Sequence, residues 1–364
     1  MKIAIVHDYL SQNGGAEKVL QAMQEIWPEA PTYALFYDDD RLPVFKGKDI
    51  RTSFLQHAPG IRSKYQWYVG LMPTAAESFD LSEFDIVLTN ASAAFSKGVI
   101  VRPGALNICY CHTPTRYLWS DTHSYVQELN APGFVKSLLP PLLTYLRMFD
   151  RQAADRVHTF LTNSRTVQNR IRTYYGREST VIFPPVETNR FKISHAPKTY
   201  FLAGGRLVSY KRFDMVIEAC NRLGLPLKIF GTGPMESALR AQAKEHIEFL
   251  GFVPETDLPA LYAEAKAFIH PQEEDFGITA VESMASGRPV IAYGKGGALE
   301  TIVEGKTGML FDRQDWETLA DTMLRFEKMT CDPQMIRAHT EQFAKERFQK
   351  ELKDFVESAG SRNP

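Results

Sequence analysis

The chain is short of cysteine, of any surplus of charge, and of long apolar runs. Four cysteines, Cys109, Cys111, Cys220 and Cys331, are too few to staple 364 residues. A disulfide scaffold is therefore excluded, and a reduced, cytosolic protein is expected. Cys109 and Cys111 point the same way on one strand, where neighbours rarely bridge, and with no second pair they make no zinc spacing. Lys and Arg number 42 against 43 Asp and Glu, a net charge of −1, so no global field recruits nucleic acid. Any anion site must be local. The apolar opening at residues 3–6 breaks at His7-Asp8, too soon for a signal-peptide core. The most apolar later stretch, residues 134–146, is cut by Lys136 and Pro140-Pro141, so it is not expected to span a bilayer. The nucleophile elbow of a serine hydrolase is missing too.

What is present is a globular composition, 44% hydrophobic and 23% charged, at a length that suits about two domains. Short apolar runs at 3–6, 86–88, 106–111 and 160–162 read as buried strands, and so do 200–203, 227–230, 249–250, 267–270, 290–292 and 309–311. Continuous apolar runs suit parallel strands covered on both faces. Between them lie helical stripes such as Val19, Leu20, Met23, Ile26 and Trp27, or Met215, Val216, Ala219, Cys220 and Leu223. The alternation predicts a doubly wound α/β architecture that runs twice. Pro184-Pro185 and the polar stretch 192–199, with Pro197, mark the junction. The expected division is 1–190, 191–340 and a helical tail, 341–364. The tail's apolar residues Phe343, Phe348, Leu352 and Phe355 suit packing on either domain.

Three elements suit anions. Asn13-Gly14-Gly15 follows the first strand and opens a helix, where glycine lets backbone amides approach a ligand; a plain turn explains it equally well. Gly204-Gly205-Arg206 with Lys211-Arg212 puts cations at a strand's C-terminal end, a setting for phosphate or simply for solvent. Glu273-Glu274-Asp275-Phe276-Gly277 precedes a helix carrying Glu282 and Met284. Simple capping accounts for three acids there, but ligands of open α/β sheets bind beyond strand C-termini.

The run Glu274-Asp275-Phe276-Gly277-Ile278-Thr279-Ala280-Val281-Glu282 resembles the Glu-x7-Glu signature of retaining family 4 glycosyltransferases of GT-B fold. Five further blocks continue the likeness in order: Gly205-Arg206-Leu207 with Lys211, Phe230-Gly231-Thr232-Gly233-Pro234, Gly251-Phe252-Val253, Ser283 through Ala292, and Gly294-Lys295-Gly296-Gly297 with Glu300. The first half is looser, through Gly14-Gly15-Ala16-Glu17 and Cys111-His112-Thr113-Pro114. Its run from Tyr110 to Trp119 looks most like the WbaZ-like mannosyltransferase subgroup.

The resemblance implies two Rossmann-like domains facing across a cleft, with closure about a hinge near residues 184–199. It implies a retaining hexosyl transfer from a nucleotide sugar, GDP-mannose or a UDP-sugar, to a saccharide or lipid-linked saccharide in bacterial surface polysaccharide assembly. His112 and Glu274 would be catalytic, with Glu274 facing the donor sugar. Gly14, Gly15, Arg206, Lys211, Phe276, Gly277, Ile278 and Glu282 would bind the donor, Glu282 through the ribose hydroxyls. His7 and Asp8 end at the same place without an assigned role. No cofactor and no metal are implied: Asp38-Asp39-Asp40 reads as solvated loop, and Arg206 and Lys211 would neutralise the leaving diphosphate. The first half would take the acceptor, and membrane contacts would fall to the aromatics Phe54, Tyr65, Trp67, Tyr68 and Phe79 or to Arg147, Arg151 and Arg156; ordinary core helices with solvated arginines fit equally. The expected location is cytoplasmic, peripheral at the inner membrane. A nucleotide-sugar binder without transfer activity and an epimerase are the rival readings.

Overall fold

A computed structural model describes residues 1–122, 126, 133–194, 196 and 198–361. Pro197 of the expected linker and the side chain of Phe134 lie outside the described residues. Two parallel sheets form. The first has strands β1 (Ile3–His7), β2 (Thr32–Ala34), β3 (Ile50–Thr52), β4 (Ile86–Ala91), β5 (Leu106–Cys111), β6 (Thr159–Thr162) and β7 (Ser179–Val181), in the order β3-β2-β1-β4-β5-β6-β7. The second has β8 (Phe201–Gly204), β9 (Leu227–Phe230), β10 (Ile247–Gly251), β11 (Ala267–His270), β12 (Val290–Tyr293) and β13 (Gly308–Phe311), in the order β10-β9-β8-β11-β12-β13.

Both sheets are doubly wound, as expected. Each reverses its strand order once, between β1 and β4 and between β8 and β11. The C-terminal ends of those four strands carry His7, Asn90, Gly204 and His270, so the candidate residues fall at the switch points. The helices that matter below are α1 (Gly15–Ile26), α2 (Gly133–Asp155), α3 (Arg165–Tyr175), α4 (Phe213–Leu223), α5 (Ile278–Ala285) and α6 (Lys345–Ser361). Among the described residues no helix is long and apolar enough to cross a membrane. The cysteines are free, and Cys109, Cys111 and Cys220 are buried.

The chain divides into two compact units, Met1–Pro184 together with the segment from Phe348, and Pro185–Arg347. The divisions fall at 184/185 and 347/348 rather than at 190/191 and 340/341. The reason is local. Val186 pairs with Ala344 in a parallel bridge, with Val186 N–H on the Phe343 carbonyl at 3.0 Å and Lys345 N–H on the Val186 carbonyl at 3.0 Å. Arg337 donates to the Phe191 and Ala285 carbonyls, and Arg288 to those of Ser194 and Ala263. Residues 185–194, most of the stretch 184–199, are thus bonded within the second unit.

The tail packs on the first unit. Phe348, Leu352 and Val356 of α6 are fully buried in the core with Ile5, Leu88 and Tyr110, and the Phe348 ring meets Tyr110 edge-on at 5.7 Å. Phe343 stays in the second unit, its ring 5.5 Å from Phe276.

Candidate functional site

Two polar clusters stand at the switch points, one in each unit. In the second unit, Lys211 Nζ lies 2.9 Å from Glu274 Oε1. Gln272, buried, donates to the same carboxylate at 3.0 Å and reaches His270 Nδ1 at 3.3 Å. Burial alone would raise the Glu274 pKa, but Lys211, His270 and the hydrogen bonds from Lys211 and Gln272 outweigh it and hold the group at about 2. Glu274 is therefore a carboxylate at any ordinary pH. Burial pushes His270 down to about 4, against Glu274 and with Lys211, so its imidazole is neutral.

The loop that carries Glu274 is fixed by backbone contact. Gly297 N–H donates to the Glu274 carbonyl at 2.8 Å, and a Cβ on Gly297 would stand 2.4 Å from Phe276 Cα. That close approach explains the Gly296-Gly297 block. Gly277, at φ 89°, caps α5 in a conformation that disfavours other residues. Three groups of this unit lack protein partners among the described residues. Gln272 Oε1 and Thr279 Oγ1 are buried and unbonded, and Arg206 is exposed with no hydrogen bond or ion pair from its guanidinium among the described residues. Buried polar atoms are nearly always paired in folded chains, which makes this end of the sheet a candidate site.

Other expected residues behave differently. Arg212, at φ 52°, turns the chain into α4 and is held by Asp214 at 3.1 Å and by the Gln314 carbonyl, so it is a structural cap. Glu282 is buried, and its Oε2 accepts from the Tyr262 hydroxyl at 3.2 Å. Phe276 points into the packing against Phe343, while Ile278 opens α5 half-buried.

In the first unit, His112 Nε2 lies 2.7 Å from Asn90 Oδ1. Asn90 Nδ2 is 2.9 Å from the Ala16 carbonyl and 3.1 Å from His7 Nδ1. His7 Nε2 faces Glu17 Oε1 at 3.5 Å, and Glu17 Oε2 accepts the Gly14 N–H at 2.8 Å. The Gly14 amide, expected to be open to a ligand, is thus occupied by the helix's own glutamate; Gly15 beside it is exposed. Asp8 is buried and accepts the amides of Ser92, Ala93, Phe95 and Ser96, which fixes the loop after β4. Behind His112, Asn163 donates to its carbonyl at 3.0 Å. Trp119 Nε1 and the Tyr175 hydroxyl both donate to Asp150, which is ion-paired with buried Lys97. These anchors give Trp119 of the quoted run a structural task.

Sequence reasoning missed Asn90, Glu17, His270 and Gln272 as parts of these clusters. For Asn90 and His270 the available signal was a polar residue closing an apolar strand beside a switch point; Glu17, inside α1, and Gln272, in the loop after β11, gave none. Asp38, Asp39 and Asp40 bring their oxygens within 4.8 Å of one another, an arrangement with the ligand type for a cation. Asp38 is buried rather than solvated, and Arg62 Nη1 stands 2.9 Å from Asp39 and 3.2 Å from Asp40, supplying positive charge to the loop.

Comparisons with known proteins agree with this geometry. Residues 185–347 match the family model described as Glycosyl transferases group 1, and residues 14–190 match Glycosyltransferase Family 4. The GDP-mannose-dependent alpha-(1-6)-phosphatidylinositol monomannoside mannosyltransferase of Mycolicibacterium smegmatis is 31% identical over 50% of this chain and 55% of its own. The chain thus spans about half the length of that relative. Alpha-1,3/1,6-mannosyltransferase ALG2 of Dictyostelium discoideum is 24% identical over 70% of this chain and 69% of its own. Among solved structures, Anabaena HepE in complex with UDP superposes with a TM-score of 0.73 at 19% identity, covering 98% of this chain and all of that one. Sucrose-phosphate synthase of Thermosynechococcus elongatus gives 0.73 at 14% identity over the whole of both chains. The two matched domains together span residues 14–347, and the chain belongs to the glycosyltransferases of GT-B fold, with a family 4 domain followed by a group 1 domain.

Proposed function

We propose that the chain is a retaining, metal-independent glycosyltransferase that moves mannose from GDP-mannose to a saccharide, lipid-linked, in bacterial surface polysaccharide assembly. The observation that carries the reading is the Lys211–Glu274 pair in the unit that also holds Arg206, Gln272 Oε1 and Thr279 Oγ1 without protein partners among the described residues. Breaking the bond from sugar to diphosphate leaves growing negative charge on the leaving oxygen. Arg206 and the first amides of α5 meet that charge, and Lys211 divides its charge between Glu274 and the phosphate. A charge pair at about 4 Å contributes roughly 4 kcal/mol at an effective dielectric near 20. Glu274, ionised throughout, faces the cation-like sugar centre; Glu282 takes the ribose hydroxyls. The first unit takes the acceptor, and in this reading the chain works as the WbaZ-like mannosyltransferases do.

Mannose is favoured by the names of the two relatives reported above, both mannosyltransferases. A UDP-sugar is the second reading, favoured by the UDP held in the similar Anabaena structure. A thermal-shift panel of GDP-, UDP- and ADP-sugars decides between them, since ligand at 100 times its dissociation constant adds about 2.7 kcal/mol. Slow donor hydrolysis without acceptor separates the enzyme from a silent binder; a product formed from donor alone without hydrolysis would favour the epimerase.

The proposed site of action is the cytoplasmic face of the inner membrane. Support comes from the first unit, where Trp67 is 84% exposed, Leu138 65% and Met148 61%. The turn holding Trp67 lies against α2, Gly70 facing Leu142. The three arginines are a poorer contact: Arg147 is bonded to the Leu118 carbonyl, Arg156 to Glu77 and Gly98, and Arg151 to Asp155.

A further inference from the structure

We propose that Asn90 is a positioning residue that locks His112 as the Nε2–H tautomer, leaving Nδ1 to accept a hydrogen bond from a sugar hydroxyl. The proposal rests on the transfer reading for its ligand, and on hydrogen-bond accounting alone for the tautomer.

The accounting starts at the Ala16 carbonyl, which only accepts. The Asn90 atom 2.9 Å from it must be the amide nitrogen, because a flipped amide would set two oxygens against each other. Its second N–H lies 3.1 Å from His7 Nδ1, a nitrogen that also stands 3.2 Å from the Asn90 backbone carbonyl, so the amide's orientation rests on the Ala16 contact. Asn90 Oδ1 therefore faces His112 Nε2 at 2.7 Å, and since an amide oxygen only accepts, Nε2 carries the proton. The other ring nitrogen is left with its lone pair, and Nδ1 has no hydrogen-bond partner among the described residues. Asn90 is fully buried on β4, so this amide has no alternative partner in water.

The groups facing His112 are His7 and Asp8 from the end of β1 and Glu17 from α1. Burial and His7 push His112 down to about 4, against Glu17 and Asp8. A neutral ring with a bare nitrogen accepts O–H and offers nothing to a phosphate. The chemistry selects a hydroxyl of an uncharged sugar, and it assigns the diphosphate to other groups.

The test is the long-range 1H–15N spectrum of histidine-labelled wild-type protein. The expected pattern is a pyrrole-like Nε2 and a pyridine-like Nδ1, unchanged between about pH 5.5 and 8. A pyrrole-like Nδ1, or a midpoint near ~6.5, overturns the lock. Saturating GDP-mannose should shift the Nδ1 resonance, and GDP alone should not. An equal shift with GDP shows that the ligand group is phosphate and overturns the hydroxyl assignment. Absence of binding by every nucleotide sugar defeats the transfer reading, whereas the tautomer is decided by the free protein's spectrum. Asn90→Asp adds the enzymatic arm. A carboxylate on Nε2 raises the imidazole pKa, so kcat/KM should fall roughly tenfold per pH unit below a new midpoint and recover above it. A loss equal at all pH values would mean a merely structural role and would overturn the proposal.

Discussion

Lys211 Nζ and Glu274 Oε1 stand 2.9 Å apart, so the lysine at the second switch point meets a carboxylate before any ligand arrives. The ion pair explains how Glu274 stays ionised although three-quarters of its side chain is covered. It also divides the expected labour: the Arg206 guanidinium has no partner among the described residues and stays uncommitted.

Glu274→Gln should lower kcat by about 100-fold or more while nucleotide affinity holds or tightens. The substitution removes the charge facing the sugar and releases Lys211 for phosphate; effects confined to the transition state appear in kcat. Calorimetry with GDP alongside transfer kinetics reads both. A large loss of nucleotide affinity with kcat intact would mean that Glu274 belongs to the binding side.

The same pair has a signature in acid. The Glu274 pKa lies below its unfolded value of 4.5, at about 2. Its contribution to stability is therefore complete above the unfolded value and is lost as pH falls through the folded one. Between about pH 4.5 and 2 the stability of Glu274→Gln should fall less steeply with acid than that of wild type. Parallel urea midpoints across that window would remove the ion pair from the account.

Arg206→Ala should cost transfer on the order of 10- to 1000-fold, the scale of one lost charge stabiliser. Full activity in excess EDTA belongs to the same expectation. Loss in EDTA that magnesium or manganese restores would instead direct attention to Asp38, Asp39 and Asp40.

Glu282 carries two tasks that substitution can separate. Glu282→Ala strands the buried Tyr262 hydroxyl and should cost about 1–3 kcal/mol of stability besides nucleotide affinity. Glu282→Gln keeps an acceptor for Tyr262 and should spare stability while still weakening binding. Equal destabilisation by both, with affinity unchanged, would leave Glu282 as a core residue only.

Membrane contact is tested by vesicle flotation at low salt. Trp67→Ser with Leu138→Ser should abolish co-flotation with anionic liposomes, since each apolar side chain withheld from the bilayer forfeits about 1.5–3 kcal/mol. Arg151→Glu should matter less, its partner being Asp155. Wild-type protein that never floats would withdraw the membrane part of the reading.

Much of the fold was legible because buried parallel strands write themselves as apolar runs. The exceptions have physical causes. β2, β3 and β7 are three-residue strands, too short to show a period, and β3 and β7 also lie at sheet edges, half exposed. β4 runs on to Ala91 through Thr89 and Asn90, both buried and polar, where hydropathy reads an end. The second cluster was legible because Glu274 and Gly277 sit in one local run after β11 and Lys211 follows a glycine-rich strand end after β8. The first was not: His7, Glu17, Asn90 and His112 come from four separate segments, and only the sheet order brings them together.

The tail helix has a consequence for how the protein is made. A sheet whose strands are complete by Val181 still lacks the aromatic and aliphatic plug of Phe348, Leu352 and Val356. On the ribosome that sheet emerges early and must wait, its greasy face uncovered, while the whole second unit is synthesised. The half that begins first is finished last, and a nascent chain stalled before residue 348 should engage chaperones more avidly than one released a few residues after Val356.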